Sequence, residues 1–179
     1  MKKEFIRLSG VLCLIALVAA LLLAGVNKIT APKIVEAEEK AAQVAMKAVL
    51  PSASRFSRVT DDVRMGMNNG VGVGYCVSVK TNGYGGEISV MVGLDMENNV
   101  QGIEILSHNE TAGLGAKATD EAFKSQFSGK KTPLTVVKKG AKNESEIQAI
   151  TGATITSRAV ADAVTKACSL VEEAKGGAK

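Results

Sequence analysis

The residues with the most capacity for chemistry lie together at Ile150-Thr151-Gly152-Ala153-Thr154-Ile155-Thr156-Ser157, where hydroxyl side chains and a glycine run directly into an apolar-periodic segment. Val160, Ala163, Val164, Ala167, Cys168 and Val171 follow at helical spacing, so the hydroxyls fall at a helix N-terminus. At such an end the backbone N–H groups lack partners and the dipole favours an anion. Two chemistries fit. In one, Thr156 or Ser157 caps the helix and does nothing else. In the other, the segment is a phosphate site and one threonine oxygen carries the phosphate covalently.

A second stretch departs from simple structural patterning: His108-Asn109-Glu110-Thr111-Ala112-Gly113-Leu114-Gly115 combines a carboxylate, a hydroxyl, two glycines and a leucine. It reads either as a plain surface loop or as one whose glycine backbone approaches a flat ligand while Leu114 packs on it. Other chemistries find little support. His108 is the only histidine and has no companions at metal-ligand spacing, so no metal site is expected. Cys13, Cys76 and Cys168 lie far apart, form no CxxC pair and read as small buried residues. There is no Ser-His-Asp or Cys-His constellation. The net charge of +4 comes from scattered basic residues without aromatic interleaving, which argues against nucleic acid as a partner.

The elements that must position these residues follow from periodicity. The length of 179 residues suits one soluble domain plus appendages, with an aliphatic core because Trp is absent. Leu8 to Val26 has no charged residue and is long enough to span a bilayer. Lys2, Lys3 and Arg7 precede it, which puts the N-terminus in the cytoplasm and the rest of the chain outside. A cleaved signal peptide is the rival reading, disfavoured by the length of the apolar run and the lack of a convincing cleavage site. Thr30-Ala31-Pro32 punctuates the exit, with Pro32 in the first turn of a second, amphipathic helix from Lys33 to Leu50 that Pro51 ends. This second helix is expected to be a stalk docking on the domain.

Residues 52–70 read as irregular. Val73, Tyr75, Val77 and Val79, then Ile88, Val90, Val92 and Leu94, then Val100 to Ser107, alternate as three strands of an antiparallel meander with one buried face. Gly70, Gly72 and Gly74 precede no helix pattern and so are strand-entry glycines, not a dinucleotide loop. Gly83-Tyr84-Gly85-Gly86 is the turn between the first two strands. Thr119-Asp120-Glu121 opens a short helix in which Phe123 and Phe127 are core contacts. A strand over Leu134 to Lys139 and a polar connection from Gly140 to Glu146 lead to the final helix, which runs to about Ala174 and leaves a tail at Gly176-Gly177.

In this order the features resemble one family: the FMN-binding G subunit of the Rnf electron-transport complex, whose sister is the C subunit of the sodium-pumping NADH:quinone reductase. The matching pieces are the N-terminal span, Gly83-Tyr84-Gly85-Gly86, Glu110-Thr111-Ala112-Gly113-Leu114-Gly115, Phe123 to Lys130, and Thr151-Gly152-Ala153-Thr154-Ile155-Thr156-Ser157. The resemblance implies an α+β fold: a single transmembrane helix (1–29), a stalk and connection (30–70), and an extracytoplasmic antiparallel-sheet FMN-binding domain with flanking helices (71–179). It also implies covalent FMN, joined by a flavin transferase through a phosphoester to Thr154. Thr151, Thr156 and Ser157 would donate to phosphate oxygens, with Gly152, Ala153 and Ile155 shaping that end. Glu110, Thr111, Gly113, Leu114 and Gly115 would line the isoalloxazine ring, with Tyr84 and its neighbouring glycines as a further wall.

The implied role is that of an electron-transfer subunit in the cell membrane, one part of a complex coupling ferredoxin:NAD electron transfer to ion translocation. Its implied partners are the other membrane subunits, packed through Gly10, Ala16, Ala19, Ala20 and Gly25, and membrane lipid. Two alternatives from other classes stand beside it: a stand-alone membrane-anchored flavoprotein reductase, and a flavin-free tethered binding module. The chain departs from the family pattern twice. Ala112 replaces a usual proline, and Gln148 stands where an aspartate usually precedes the modified threonine by six residues.

Overall fold

The computed structural model describes residues 2–141 and 143–176; Gly177, part of the expected tail, and the side chains of residues 2–5 lie outside what is described. Helix α1 runs over Lys2–Val49, β1 over Arg55–Arg58, β2 over Val63–Asn68, β3 over Val71–Asn82, β4 over Glu87–Asp95 and β5 over Val100–Ser107. A single turn, α2 (Glu121–Lys124), lies between two short 3₁₀ turns, and β6 (Thr135–Val137), β7 (Glu146–Gln148) and α3 (Thr154–Gly176) complete the chain. The chain divides into one unit up to Ala41 and another from Ala42 onward.

The strands β1 to β5 form one antiparallel sheet in sequence order, of which β3 to β5 are the meander expected from the alternating pattern. Its β3–β4–β5 rows put large apolar residues opposite one another: Val77 pairs with Val92 and Val92 with Ile103, Val79 with Val90 and Val90 with Ile105. Together with Tyr75, Leu94 and Val100 they form one face of the main core, and Val160, Ala163, Val164, Ala167, Cys168 and Val171 of α3 form the other. Phe123 and Phe127 close one side of this core, edge to face at 5.3 Å between ring centres, as expected for core contacts.

The sheet is buried on both faces, which corrects the expectation of one buried face. Positions that alternate with the valines are small or soft: Cys76, Met91, Gly93 and Gly102. They look like a solvent face in sequence, yet Ala45, Met46, Val49, Leu50 and Ala53 cover them in a second core. Gly93 and Gly102 pair across β4 and β5, and a Cβ added at Gly93 would collide with the Val49 carbonyl. Glycine there lets the helix end approach the sheet backbone.

Three further expectations are corrected. Pro32 lies inside α1 and starts no new helix. A proline removes one i→i−4 bond, but the strong helix formers on both sides carry the helix through. Residues 52–70 contain β1 and β2, which add two strands at the sheet edge. Where the polar connection ends, at Glu146, a strand not expected from the sequence begins: β7 pairs in parallel with β6 (Val136 opposite Ile147), and Ile147 is fully buried. Within α1, the stretch from Ile6 onward is long and apolar enough to cross a membrane, and the side chains of Leu8 to Val26 are exposed, as a lipid-facing helix requires.

Candidate functional site

The first turn of α3 is built by its own short side chains. Gly152 has φ +80°, a left-handed conformation that turns the chain into the helix. The Ala153 N–H donates to the Ile150 carbonyl at 3.0 Å, and the Ala153 carbonyl accepts the Ser157 N–H at 3.0 Å and the Ser157 hydroxyl at 2.9 Å. Ser157 Oγ in turn accepts the Ile150 N–H at 2.9 Å. Neither Thr156 nor Ser157 is therefore an N-cap: both lie inside the helix and are buried, and Ala153 occupies the position before it. Thr154, Ile155 and Thr156 come too early in α3 to have helical acceptors for their N–H groups, so that end favours an anion.

The opposite wall comes from the β3–β4 turn and the loop after β5. The Gly83 N–H donates to the Gly86 carbonyl at 2.8 Å and closes the turn, leaving the Tyr84 side chain 75% exposed at its tip. Gly113 (φ +77°) lets the loop fold back, so that the N–H groups of Leu114 and Ala116 both donate to the Thr111 carbonyl at 3.2 Å. Glu110 is only 9% exposed. Its Oε1 accepts the Gly85 N–H at 2.9 Å, and its Oε2 accepts the Thr156 hydroxyl at 2.8 Å.

These segments enclose a cleft of about 480 Å³ lined by Tyr84, Glu110, Thr111, Leu114, Gly115, Gly152, Ala153, Thr154, Ile155 and Thr156. The size is that of small-molecule sites. Leu114 (44% exposed) and Ile155 (54%) join Tyr84 in an apolar rim around it. Every lining residue belongs to the set expected from the sequence. Three expected residues do not line the cleft. Thr151 faces a neighbouring space, Gly113 shapes the loop from outside, and Ser157 is buried beneath the helix turn. The glycines beside Tyr84 were expected at this same pocket; that Gly83 and Gly85 pack on Glu110 is what the sequence could not show.

Of the motif hydroxyls, Thr151 is outside the cleft, Thr156 is bonded to Glu110 and Ser157 to backbone. Thr154 lines the cleft, is partly exposed, and makes no side-chain hydrogen bond to another described residue. The site fits a flavin mononucleotide: a helix end and a free hydroxyl for the phosphate, and an apolar rim for the ring. A larger space of about 630 Å³ lies beside Gln126, Gln148 and Thr151, but Lys117, Asp120 and Lys130 also line it and it lacks the helix end. Gln148 is exposed, and Gln126 grips its backbone: the Gln148 N–H donates to Gln126 Oε1 at 2.8 Å.

Among the described residues no cluster of three or more His, Cys, Asp or Glu side chains can hold a metal. Cys76 and Cys168 are free, buried, and in different cores on opposite faces of the sheet, whereas Cys13, expected to be buried, is exposed on α1. Burial pushes the Cys76 thiol up to about 12.

Comparison with known proteins supplies three kinds of likeness. The family model described as FMN-binding domain matches residues 83–169, and that described as RnfG N-terminal region matches residues 1–49. The G subunit of the Na(+)-translocating ferredoxin:NAD(+) oxidoreductase complex of Acetobacterium woodii is 40% identical, over 90% of this chain and 89% of the relative. The G subunit of the proton-translocating ferredoxin:NAD(+) oxidoreductase complex of Clostridium ljungdahlii is 34% identical, over 89% of this chain and 88% of the relative. In fold, the chain is similar to NqrC of Shewanella oneidensis (TM-score 0.54, 23% identity, 64% of this chain and 65% of that one). It is likewise similar to the C subunit of the Na(+)-translocating NADH-quinone reductase of Parabacteroides distasonis (TM-score 0.52, 26% identity, 60% and 58%). The chain thus spans less than two thirds of either solved structure.

Proposed function

The chain belongs to the family of G subunits of ion-translocating ferredoxin:NAD(+) oxidoreductase complexes, and from that premise we propose that it transfers electrons through an FMN carried on Thr154. The FMN supplies the redox chemistry when bound, and the chain supplies position, an anion-favouring helix end and an apolar rim. Ion translocation is common to the two relatives named above; the ion differs between them. The observation that carries the choice of Thr154 is that it alone among the motif hydroxyls both lines the cleft and is free of hydrogen bonds to the rest of the described chain.

Attachment is a phosphoester. The Thr154 oxygen bonds to phosphorus as the hydroxyl proton and the leaving group of the flavin donor depart, so the chain gains FMN less one water. Gly152 allows close backbone approach and the start of α3 steadies the phosphate charge. A flavin transferase performs this outside the cytoplasm, since Lys2, Lys3 and Arg7 keep the N-terminus inside. The remaining partners are membrane lipid and the other membrane subunits, which meet α1 at Gly10, Ala16, Ala19, Ala20 and Gly25.

Mass spectrometry of protein purified from its native membrane tests this reading. The tryptic peptide Asn143 to Arg158 is expected to carry FMN less one water, localised to Thr154. An unmodified peptide from intact, membrane-bound protein refutes the covalent site.

A further inference from the structure

One side chain joins all three walls of the cleft. Glu110 belongs to the loop after β5, accepts a hydrogen bond from the β3–β4 turn through Gly85, and accepts another from the first turn of α3 through Thr156. The two partners lie 25 and 46 residues away in sequence. The surrounding backbone is shaped to this carboxylate. A Cβ added at Gly83 would collide with Glu110 Oε1, and one added at Gly115 would collide with Oε2. Charge-assisted bonds of this kind are about twice as strong as neutral ones, and their loss would leave the buried Thr156 hydroxyl without its partner and free the Gly85 amide of the exposed turn.

We propose that Glu110 is a positioning residue: a latch that sets the distance between the Tyr84 wall and the Thr154 anchor, and places a fixed negative charge at the side of the cleft. Its first role is independent of any ligand. Its second rests on the flavin reading above, because a negative charge beside the ring disfavours the electron-rich reduced form and lowers the reduction potential.

The test uses the full chain in detergent, prepared both without flavin and loaded with it. In flavin-free protein, amide hydrogen exchange is followed over the turn 83–86. Glu110→Ala is expected to speed exchange at the Gly85 amide by roughly 10- to 100-fold, the equivalent of one lost charge-assisted bond, with the core strands unchanged. Glu110→Gln restores protection, because its carbonyl accepts from Gly85 and its amide donates to the Thr156 oxygen. Gly83→Ala, which displaces the latch while keeping the carboxylate, exposes the same amide and serves if Glu110→Ala does not fold. In loaded protein, Glu110→Gln is expected to raise the flavin midpoint potential relative to the parent.

Wild-type exchange at Gly85 in both Glu110→Ala and Gly83→Ala overturns the latch. An unchanged potential in Glu110→Gln overturns the role of the charge. A turn freed by Glu110→Ala in a chain whose Thr154 never carries flavin upholds the latch and sinks the covalent-flavin reading instead.

Discussion

Thr154 and Thr156 are two residues apart, yet one hydroxyl lines the cleft unbonded to the rest of the described chain and the other is bonded to Glu110, and paired substitutions separate the duties proposed for them. Thr154→Val removes a partly exposed hydroxyl that bonds to no other described residue. Its cost in stability is expected to be within about 0.5 kcal/mol, as for surface changes away from special features. Thr156→Val removes a buried hydroxyl whose hydrogen bond to Glu110 is 2.8 Å long. A hydrogen bond to a charged group contributes about 1.5–3 kcal/mol. At ~4 °C per kcal/mol for a domain of this size, the melting temperature falls by roughly 6–12 °C. The flavin readout runs the other way. Thr154→Val carries no covalent FMN by intact mass and in-gel flavin fluorescence while melting like the parent. Thr156→Val still carries FMN on its folded fraction but melts early. Covalent flavin on Thr154→Val, or a parental melting temperature for Thr156→Val, refutes the assignment of roles.

Three other outcomes are expected. Gly93→Ala forces a methyl group into the Val49 carbonyl, a rigid backbone neighbour, and is expected to destabilise the domain by about 1–3 kcal/mol in urea titration, without altering where FMN attaches. Gln148→Asp restores the carboxylate that the family pattern carries, and is expected to speed flavin loading by the transferase in a time course read by mass; an equal or slower rate would exclude Gln148 as the limiting residue. The Cys76 thiol, raised from 9.0 to about 12 by burial, keeps its proton in the folded state over a pH range where the unfolded state loses it. The unfolded chain then binds fewer protons, so the stability Cys76 contributes is fully present below pH 9 and is lost as pH rises toward 12. Denaturation at pH 8 and pH 11 is expected to show a steeper loss for the parent than for Cys76→Ala, and thiol reagents at pH 8 are expected to label Cys76 only on unfolding.

Strands β3 to β5 and helix α3 were legible because each buries a regular stripe, and a stripe is written in the spacing of residues such as Val90, Val92 and Leu94 or Val160, Val164 and Ala167. β1 was not legible: it is an edge strand with both ends arginine and no buried residue, so it carries no stripe to read. The second buried face was hidden because the helix end rests on Cys76, Gly93 and Gly102, whose small size signals close approach only once the partner is known. Pro32 misled because a local rule for helix starts is weaker than the run of helix formers around it.

The site divides along the same line. Sequence by itself determined that hydroxyls and a glycine stand at the start of a helix, that a glycine-flanked carboxylate loop exists, and that an apolar helix precedes the domain; each is a property of residues close together in the chain. Tertiary structure alone decided which hydroxyl is free and which is bonded, and that Glu110 holds the walls together. Those facts depend on segments 25 and 46 residues apart meeting at hydrogen-bonding distance. Local periodicity records which face a residue turns inward, and carries no record of what it will meet there.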